Sequence, residues 1–501
     1  MVSAGRADER APCLIGAGQV VARSSDPLET EPINLWAEAC SLAIADTGAR
    51  RGVTAFGLGG LSVVYCGSWS YDSPAQRLAH RLGVTPPLLA DSGMGGDQPQ
   101  LLLHTMADAI AGGQMDLGLM VSGEALHTVD VSARENRPLP WNNPASPPPA
   151  MDIGAYVSDD ELRHGMLPVM RSFALRDSAR RAHLGISLEE YADEPAPAYA
   201  AMSSVAADNP YAWRPAARSA GEILRVHPGN RMPVRPYTKL MMASPNVNQA
   251  AALLIASQAA ADAIGVPTER RVYLRGWSAA RDYPYVAQNA DLWRSRAMED
   301  ASHRVLGAAG MHFDDIDHLD LYSCFPSALR FAADALGCGI DDQRGLSVTG
   351  GMPYAGAPGS GYVTQALATM TQTLRDHAGA SGLVGGLSGQ MATYAFSLLS
   401  TNPSVADPTA LGAAGAHAPR GEPMVVRPQG DGPATLEAYA VACDRAGADE
   451  LGVAVCRLPD DSRCYAQTRD AGILSWLSTS EGVGHRVHLT TPADGPSLIE
   501  V

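Results

Sequence analysis

The chain has 501 residues, too many for one simple core, so two or three domains are expected. Hydrophobic residues make up 46% and charged residues 18%, the balance of a packed globular protein and not of a disordered chain. A net charge of −16 without a long basic run speaks against nucleic acid or an anionic membrane as partner, since either needs a Lys/Arg patch to neutralise phosphates. Eight cysteines without a CxxC pair argue against a zinc site and a disulfide framework. The first eleven residues are polar and no run reaches transmembrane length, so a cytoplasmic location is expected.

In chain order, residues 13–20 (CLIGAGQV) form a short apolar run with Gly, read as a buried strand. Helical spacing follows over 35–45, a second strand over 58–65 and a short helix over 75–82. The Leu-, Met- and Ala-rich segment 98–111 reads as a helix. It ends at a Gly turn and leads into an apolar strand over 117–122, the order of a βαβ unit in a buried parallel sheet. Residues 128–236 break this pattern with Pro-dense stretches (RPLPWNNPASPPPA, DEPAPAYAAM, HPGNRMPVRPYTK) and read as an excursion of turns and short helices.

Regular order then resumes. The Ala-rich stretch 247–264 reads as a helix and 272–277 as a strand, followed by a helix over 292–309, a strand over 318–322 and a helix over 325–336. A further Ala-rich helix over 361–375 precedes GASGLVGGLSG, a turn and strand. The helix–Gly–strand units at 98–122 and 362–386 look like one element in two successive halves, so an α/β unit is duplicated. From about Pro403 helical spacing stops. Short alternating runs at 424–427, 435–442, 451–457, 462–468, 485–490 and 498–501, separated by turn residues, predict a small barrel of the OB type. The expected divisions are 11–268 and 269–403 for the two halves and 404–501 for the added β-domain. That domain has few aromatics and many Asp, which suits docking better than nucleic-acid binding.

The duplicated unit, the excursion, and the phrases PYTKLMMASPNVNQAAALLIAS, HLDLYSCFPSALRFAADALG and TGGMPYAGAPGSGYVTQALATM resemble the thiolase superfamily. More narrowly, the chain resembles thiolase-like proteins of type 1, which are acetyl-CoA acetyltransferase-like and carry an added C-terminal domain. The resemblance implies a five-layered αβαβα body and an acyl-CoA thioester as substrate, with no bound cofactor, as a monomer or a homodimer. It secures the scaffold and leaves the chemistry open.

A thiolase needs a nucleophilic Cys at a helix start, where the dipole lowers the thiolate pKa. The matching position here is Gly96, in DSGMGGDQPQ. The family's Gly-His-Pro stretch reads Gly356-Ala357-Pro358, so the activating His is Ala357. The acid/base Cys or His of a later Gly-rich loop matches VGGLSGQ, which holds neither, and the His-Asp-x-Phe stretch reads Tyr322-Ser323-Cys324-Phe325. Acyl transfer through the chain is therefore excluded by resemblance. Gly96, Gly356, Ala357 and Gly359 are the positions expected to border the CoA thioester, with backbone N–H groups of the GGMPYAGAPGSG loop (350–361) forming part of an oxyanion hole. Arg231, Arg235 and Lys239 are weaker candidates for a CoA phosphate.

Two readings of the losses stand. In the first, Tyr322 and Tyr362 replace the lost groups as acid/base residues for cleavage of a β-hydroxyacyl-CoA, as in related steroid side-chain retro-aldolases that work with an OB-fold partner. Tyr322 would need a depressed pKa to serve as base. Cys324, before Phe325-Pro326, competes as a thiol at a helix start, although buried Cys is usually inert. In the second, the protein is a non-catalytic acyl-CoA or lipid-binding pseudoenzyme. His104, His127 and Cys66 are read as structural or solvated.

Overall fold

The computed structural model describes residues 9–146, 153–403, 406–493 and 495–500. The first half opens with strand β1 (Pro12–Val21), covered by helix α1 (Pro32–Asp46). Strand β2 (Gly60–Val63), helix α2 (Pro74–Leu82) and strand β3 (Leu88–Asp91) follow, then helix α3 (Gln98–Ala111) and strand β4 (Leu117–Ala125). The excursion carries α4 (Met170–Leu184), α5 (Leu188–Asp193) and α6 (Ala196–Asp208). The chain then returns as strand β5 (Asn248–Ser257) and helix α7 (Gln258–Ile264).

Strand β5 corrects the helix expected over 247–264. Alanine favours a helix in isolation, yet every residue of NQAAALLIAS is buried, and the run pairs antiparallel with β4 on one side and β1 on the other. An apolar run of this length has no period that separates strand from helix, and the two waiting strand edges decide it.

The second half repeats the order with β6 (Val272–Arg281), α8 (Arg296–Ala309), β7 (His318–Asp320), α9 (Pro326–Leu336), α10 (Tyr362–Asp376), β8 (Ser381–Ser388) and β9 (Thr393–Ser400). The sheet path is β3-β2-β4-β5-β1-β6-β9-β8-β7, so the halves share one strand order and join at β1–β6. The sheet is mixed, not parallel: β5 and β9 run antiparallel to their neighbours. Helices α3 and α10 each touch strands of both halves, while α1 and α8 cover the outer faces, which gives the five-layered αβαβα body expected. Both central helices sit against fully buried strands, so neither shows a clean polar stripe.

A further strand, β10 (Gly412–His417), pairs parallel with β6 at Trp277, Ala279 and Ala280. The stretch between the body and the barrel is therefore partly sheet and not an open linker. Strand β1 pairs with β6 only at Val272 and Tyr273, and β10 occupies the edge left open beyond. The expected division at 403/404 abuts residues 404–405, which lie outside the described residues.

The C-terminal region holds β11 (Val426–Arg427), β12 (Gly432–Cys443), β13 (Asp449–Arg457), β14 (Arg463–Thr468), helix α11 (Ala471–Thr479), β15 (Arg486–Thr490) and β16 (Leu498–Glu500). The expected last strand reached Val501, which is outside the described residues. Pairings β12–β13–β14–β16–β15–β12 close a five-stranded barrel around Leu436, Cys456, Cys464 and Leu489, as expected of a small barrel. Helix α11 was not anticipated. It is capped by Asp470, which accepts from the Gly472 and Ile473 amides, and Leu474 and Leu477 fold it onto the barrel.

The barrel docks through buried polar contacts. Ser178 Oγ on α4 accepts from the Tyr439 amide at 2.8 Å, and Tyr465 Oη donates to Glu161 Oε1 at 2.7 Å. Arg463 donates to the carbonyls of Ala287 and Ala290. Among the described residues no helix is long and apolar enough to cross a membrane.

Candidate functional site

Helix α3 begins at the nucleophile position. A Cβ built on Gly96 would overlap Tyr322 Oη and lie 2.5 Å from the Leu387 carbonyl oxygen. The Tyr322 hydroxyl thus occupies the volume that a side chain at residue 96 would fill. Beside it is a cavity of about 230 Å³, walled by Gly96, Tyr156, Phe173, Tyr322, Cys324 and Ser388 among others.

Tyr322 follows β7 and is 7% exposed, and its hydroxyl has no hydrogen-bond partner among the described residues. Burial pushes its pKa well above the ordinary tyrosine value, with Cys324 and Asp97 adding to the effect. This overturns the depressed pKa required of a base. Tyr322 keeps its proton at neutral pH and is a donor.

Cys324 is also a wall of the cavity, at the start of α9. Pro326 supplies the fixed φ of the first helical turn, and Gly337 ends the helix in the left-handed conformation. The amides at this helix start favour a thiolate, but burial outweighs them and drives the thiol pKa up. Cys324 is therefore a protonated wall residue and not an activated nucleophile.

The structure does not bring Tyr362 to the cavity wall. Its hydroxyl donates to Asp320 Oδ1 at 2.8 Å and lies 2.8 Å from Thr349 Oγ1. Asp320 Oδ2 accepts in addition from Ser347 Oγ, the Val348 and Thr349 amides and Thr349 Oγ1, at 2.8–3.1 Å. The Tyr362 ring stands edge-on to Tyr322, with centroids 5.9 Å apart, and so backs the ring that faces the cavity.

The loop around Gly356, Ala357 and Gly359 is shaped by packing. Gly356 has φ +107° and Gly359 φ +50°, and Cβ atoms there would overlap Gln249 and Glu124 respectively. The Ala357 amide donates to Ser244 O, Gly359 to Ala357 O and Gly361 to Pro358 O. These three amides are occupied and so do not serve an oxyanion hole. Of the four residues expected to border a thioester, Gly96 alone lies on the 230 Å³ cavity. Ser360 Oγ, which accepts from the Gly95 amide at 3.0 Å, ties this loop to the start of α3.

Asp97 is the residue that the sequence reading passed over. It is 1% exposed beside Gly96, and burial raises its pKa to about 6, against hydrogen bonds from Gln98 and Ser388. Asp97 Oδ1 and Ser388 Oγ both approach the Gly95 α-carbon, within 2.8 Å and 2.7 Å of a Cβ placed there. Ser388 thus carries a path from the cavity to a carboxyl group that titrates near neutrality. An acidic residue directly after Gly96, at a helix start, was the available signal.

His104 is buried in α3, with Nε2 2.9 Å from Ser397 Oγ, and burial lowers its pKa to about 3. His127 packs edge-on to Trp213, and the buried Cys66 Sγ lies 3.2 Å from Ser68 Oγ. Arg235 pairs with Asp449 of the barrel at 2.7 Å. Among the described residues no group of three His, Cys, Asp or Glu side chains could hold a metal ion.

Residues 420–494 match the family model described as the thiolase-like protein type 1 additional C-terminal domain. Across 99% of both chains, the protein is 30% identical to a monomeric SCP2-thiolase like protein type 1 from Mycobacterium smegmatis, with a TM-score of 0.84. The chain belongs to this type 1 family. The body of the type 1 protein shares its fold with an Ltp2-ChsH2(DUF35) aldolase (16% identity, 78% of this chain and 98% of that one, TM-score 0.61). It also shares it with the dimeric peroxisomal thiolase of Saccharomyces cerevisiae (12% identity, 78% and 97%, TM-score 0.56). No curated protein sequence matches the chain.

Proposed function

We propose that the cavity beside Gly96 receives the acyl end of a coenzyme A thioester, and that the type 1 protein cleaves a carbon–carbon bond of a β-hydroxyacyl-CoA. The observation that carries this reading is the unpartnered Tyr322 hydroxyl standing where a nucleophile's side chain would be. Retro-aldol cleavage needs a proton acceptor and a proton donor, and no covalent nucleophile.

Asp97, acting through the Ser388 hydroxyl, accepts the β-hydroxyl proton. The oxygen lone pair forms the new carbonyl as the Cα–Cβ bond breaks, and the bonding pair passes to Cα as a thioester enolate. Tyr322 protonates Cα, giving a shortened acyl-CoA and an aldehyde or ketone. Protonated Asp97 then returns the proton to the phenolate, so both groups end as they began. A tyrosine held well above its ordinary pKa and a carboxyl raised to about 6 suit these opposite roles. Tyr362 serves as a brace for the Tyr322 ring.

The shared fold with a structure named an aldolase supports this chemistry. We read the body as 11–268 and 269–403, extended by β10, and the barrel as starting near residue 420. The strand order 1-2-3-5-4-1, with a helix between the third and fourth strands, supports an OB-type barrel in a docking role. The monomeric state of the Mycobacterium smegmatis relative supports a monomer, and a cytoplasmic location goes with this reading.

The test is a screen of branched and steroid-like β-hydroxyacyl-CoAs for release of an aldehyde or ketone, repeated with Tyr322→Phe. The variant should fold normally and lose ~10²–10⁴-fold in kcat. If nothing is cleaved while CoA thioesters bind wild type and variant equally, the hydroxyl has no chemical role. The protein is then an acyl-CoA-binding pseudoenzyme.

A further inference from the structure

A second cavity, about 640 Å³, lies between the excursion and the barrel, away from the Gly96 site. Its walls come from α4, α5 and the 232–236 segment on one side, and from β12 and α11 on the other. The added domain therefore supplies half of this groove, and a body without that domain would have an open surface here. The volume falls within the roughly 300–1,000 Å³ typical of small-molecule sites.

Most of the groove is apolar, with Leu188, Met232, Val441 and Leu477 along it. Against this lining stands Arg181, whose side chain is only 9% exposed. Its Nε and Nη2 donate to Glu481, and Nη2 also reaches Tyr439 Oη at 3.0 Å. Nη1 has no hydrogen-bond partner among the described residues. This nitrogen is not sealed from solvent, so it is open to the groove, where a bound acceptor can take its hydrogen bond. Arg235 lines the same groove with a side chain that is 40% exposed; its Nε donates to Asp449 at 2.7 Å, and its two terminal nitrogens have no partner among the described residues.

The acidic residues of the groove leave the Nη1 of Arg181 open. Asp177 accepts from Tyr191, Tyr237 and Arg330, and Glu481 from Arg181 and the Val483 amide. Glu189 is exposed on α5.

We infer that the groove between the excursion and the barrel is a second ligand site, which takes an amphipathic carboxylate with its head on Arg181 and Arg235 and its apolar body along Leu188, Met232 and Leu477. A planar guanidinium matches a carboxylate, and the apolar lining excludes a purely polar anion as the fitting ligand. The chemistry is that of a free alkanoic acid. The site stands independently of the reading proposed for the Gly96 cavity.

The experiment is titration calorimetry of the full chain with decanoate and with methyl decanoate, which has the same apolar body and no charge. Decanoate should bind, and the ester at least about tenfold more weakly. Arg181→Met should weaken decanoate by a similar factor. Ala192→Phe, which narrows the groove and leaves both arginines with their carboxylate partners, should weaken it too. Tyr322→Phe should leave decanoate binding unchanged, and free CoA should not displace it. Equal binding of acid and ester, no effect of Ala192→Phe, or displacement by CoA would each overturn the assignment.

Discussion

Helices α3 and α10 are one element in two copies, each entered from a glycine-rich loop and each packed between the halves of the sheet, yet the residues at their starts do opposite things. At the start of α3, Asp97 is buried with too little hydrogen bonding to hold it ionised and is left titrating near pH 6. At the start of α10, Tyr362 is equally buried, but its hydroxyl has two partners. The difference teaches that place in the duplicated fold does not confer reactivity. An unsatisfied polar tip at a cavity does, and Tyr322 has one where Tyr362 does not.

The comparison breaks most visibly at Asp320. Replacing it with Ala leaves the Val348 and Thr349 amides without an acceptor, while the Tyr362, Thr349 and Ser347 hydroxyls keep only one another as acceptors. Each such group costs ~1–3 kcal/mol, so urea unfolding should show a loss of about 3 kcal/mol or more. A loss under 1 kcal/mol would mean that the C-terminal copy is not held by this carboxylate.

Asp97 sharpens the other side. Its folded pKa of about 6 exceeds the ~3.9 of the unfolded chain. The folded state therefore binds more protons between about pH 4 and pH 6, and stability should fall as pH rises through that window. A tenfold difference in proton affinity between the folded and the unfolded chain is worth roughly 1.4 kcal/mol, and Asp97→Asn should flatten the dependence. The rate of cleavage should instead rise through about pH 6, as the carboxylate becomes able to accept a proton, and that limb should vanish in the variant.

Gly96→Ala tests the overlap with Tyr322 directly. The methyl group meets the phenol and the Leu387 carbonyl, an overpacking expected to cost about 1–3 kcal/mol in thermal or urea unfolding. Adding Tyr322→Phe removes the nearer contact, so the double variant should recover part of the loss; simple additivity would place the hydroxyl elsewhere.

The smallest effect belongs to Tyr362→Phe. Asp320 keeps its other donors, so the cost should be about 1 kcal/mol of stability, with kcat within a few-fold of wild type. A kcat loss matching that of Tyr322→Phe would place both tyrosines on one proton path.

Much of this was legible in the chain, for reasons that differ by region. The glycine stops, the Pro-marked helix starts and the alternating tail carry short-range signals, and the five-layered body and small barrel follow from them and from the quoted motifs. The absent nucleophile at Gly96 and the absent His at Ala357 could be read residue by residue. Strand β5 could not, because NQAAALLIAS has no periodicity and its conformation is set by the free edges of β1 and β4. Strand β10 was hidden likewise, since only the divergence of β1 from β6 opens an edge for it.

At the site the division is sharper. Sequence determined which chemistry is missing, since the identity of a residue needs no fold to be known. Tertiary structure alone decided which hydroxyl is free, because Tyr322 and Tyr362 look alike as letters and differ only in whether Asp320 lies within reach. It also set the pKa values of Tyr322 and Cys324 above their ordinary values, where a base or an activated thiol needs lower ones, and raised that of Asp97, because desolvation depends on what surrounds a group and not on its neighbours in the chain.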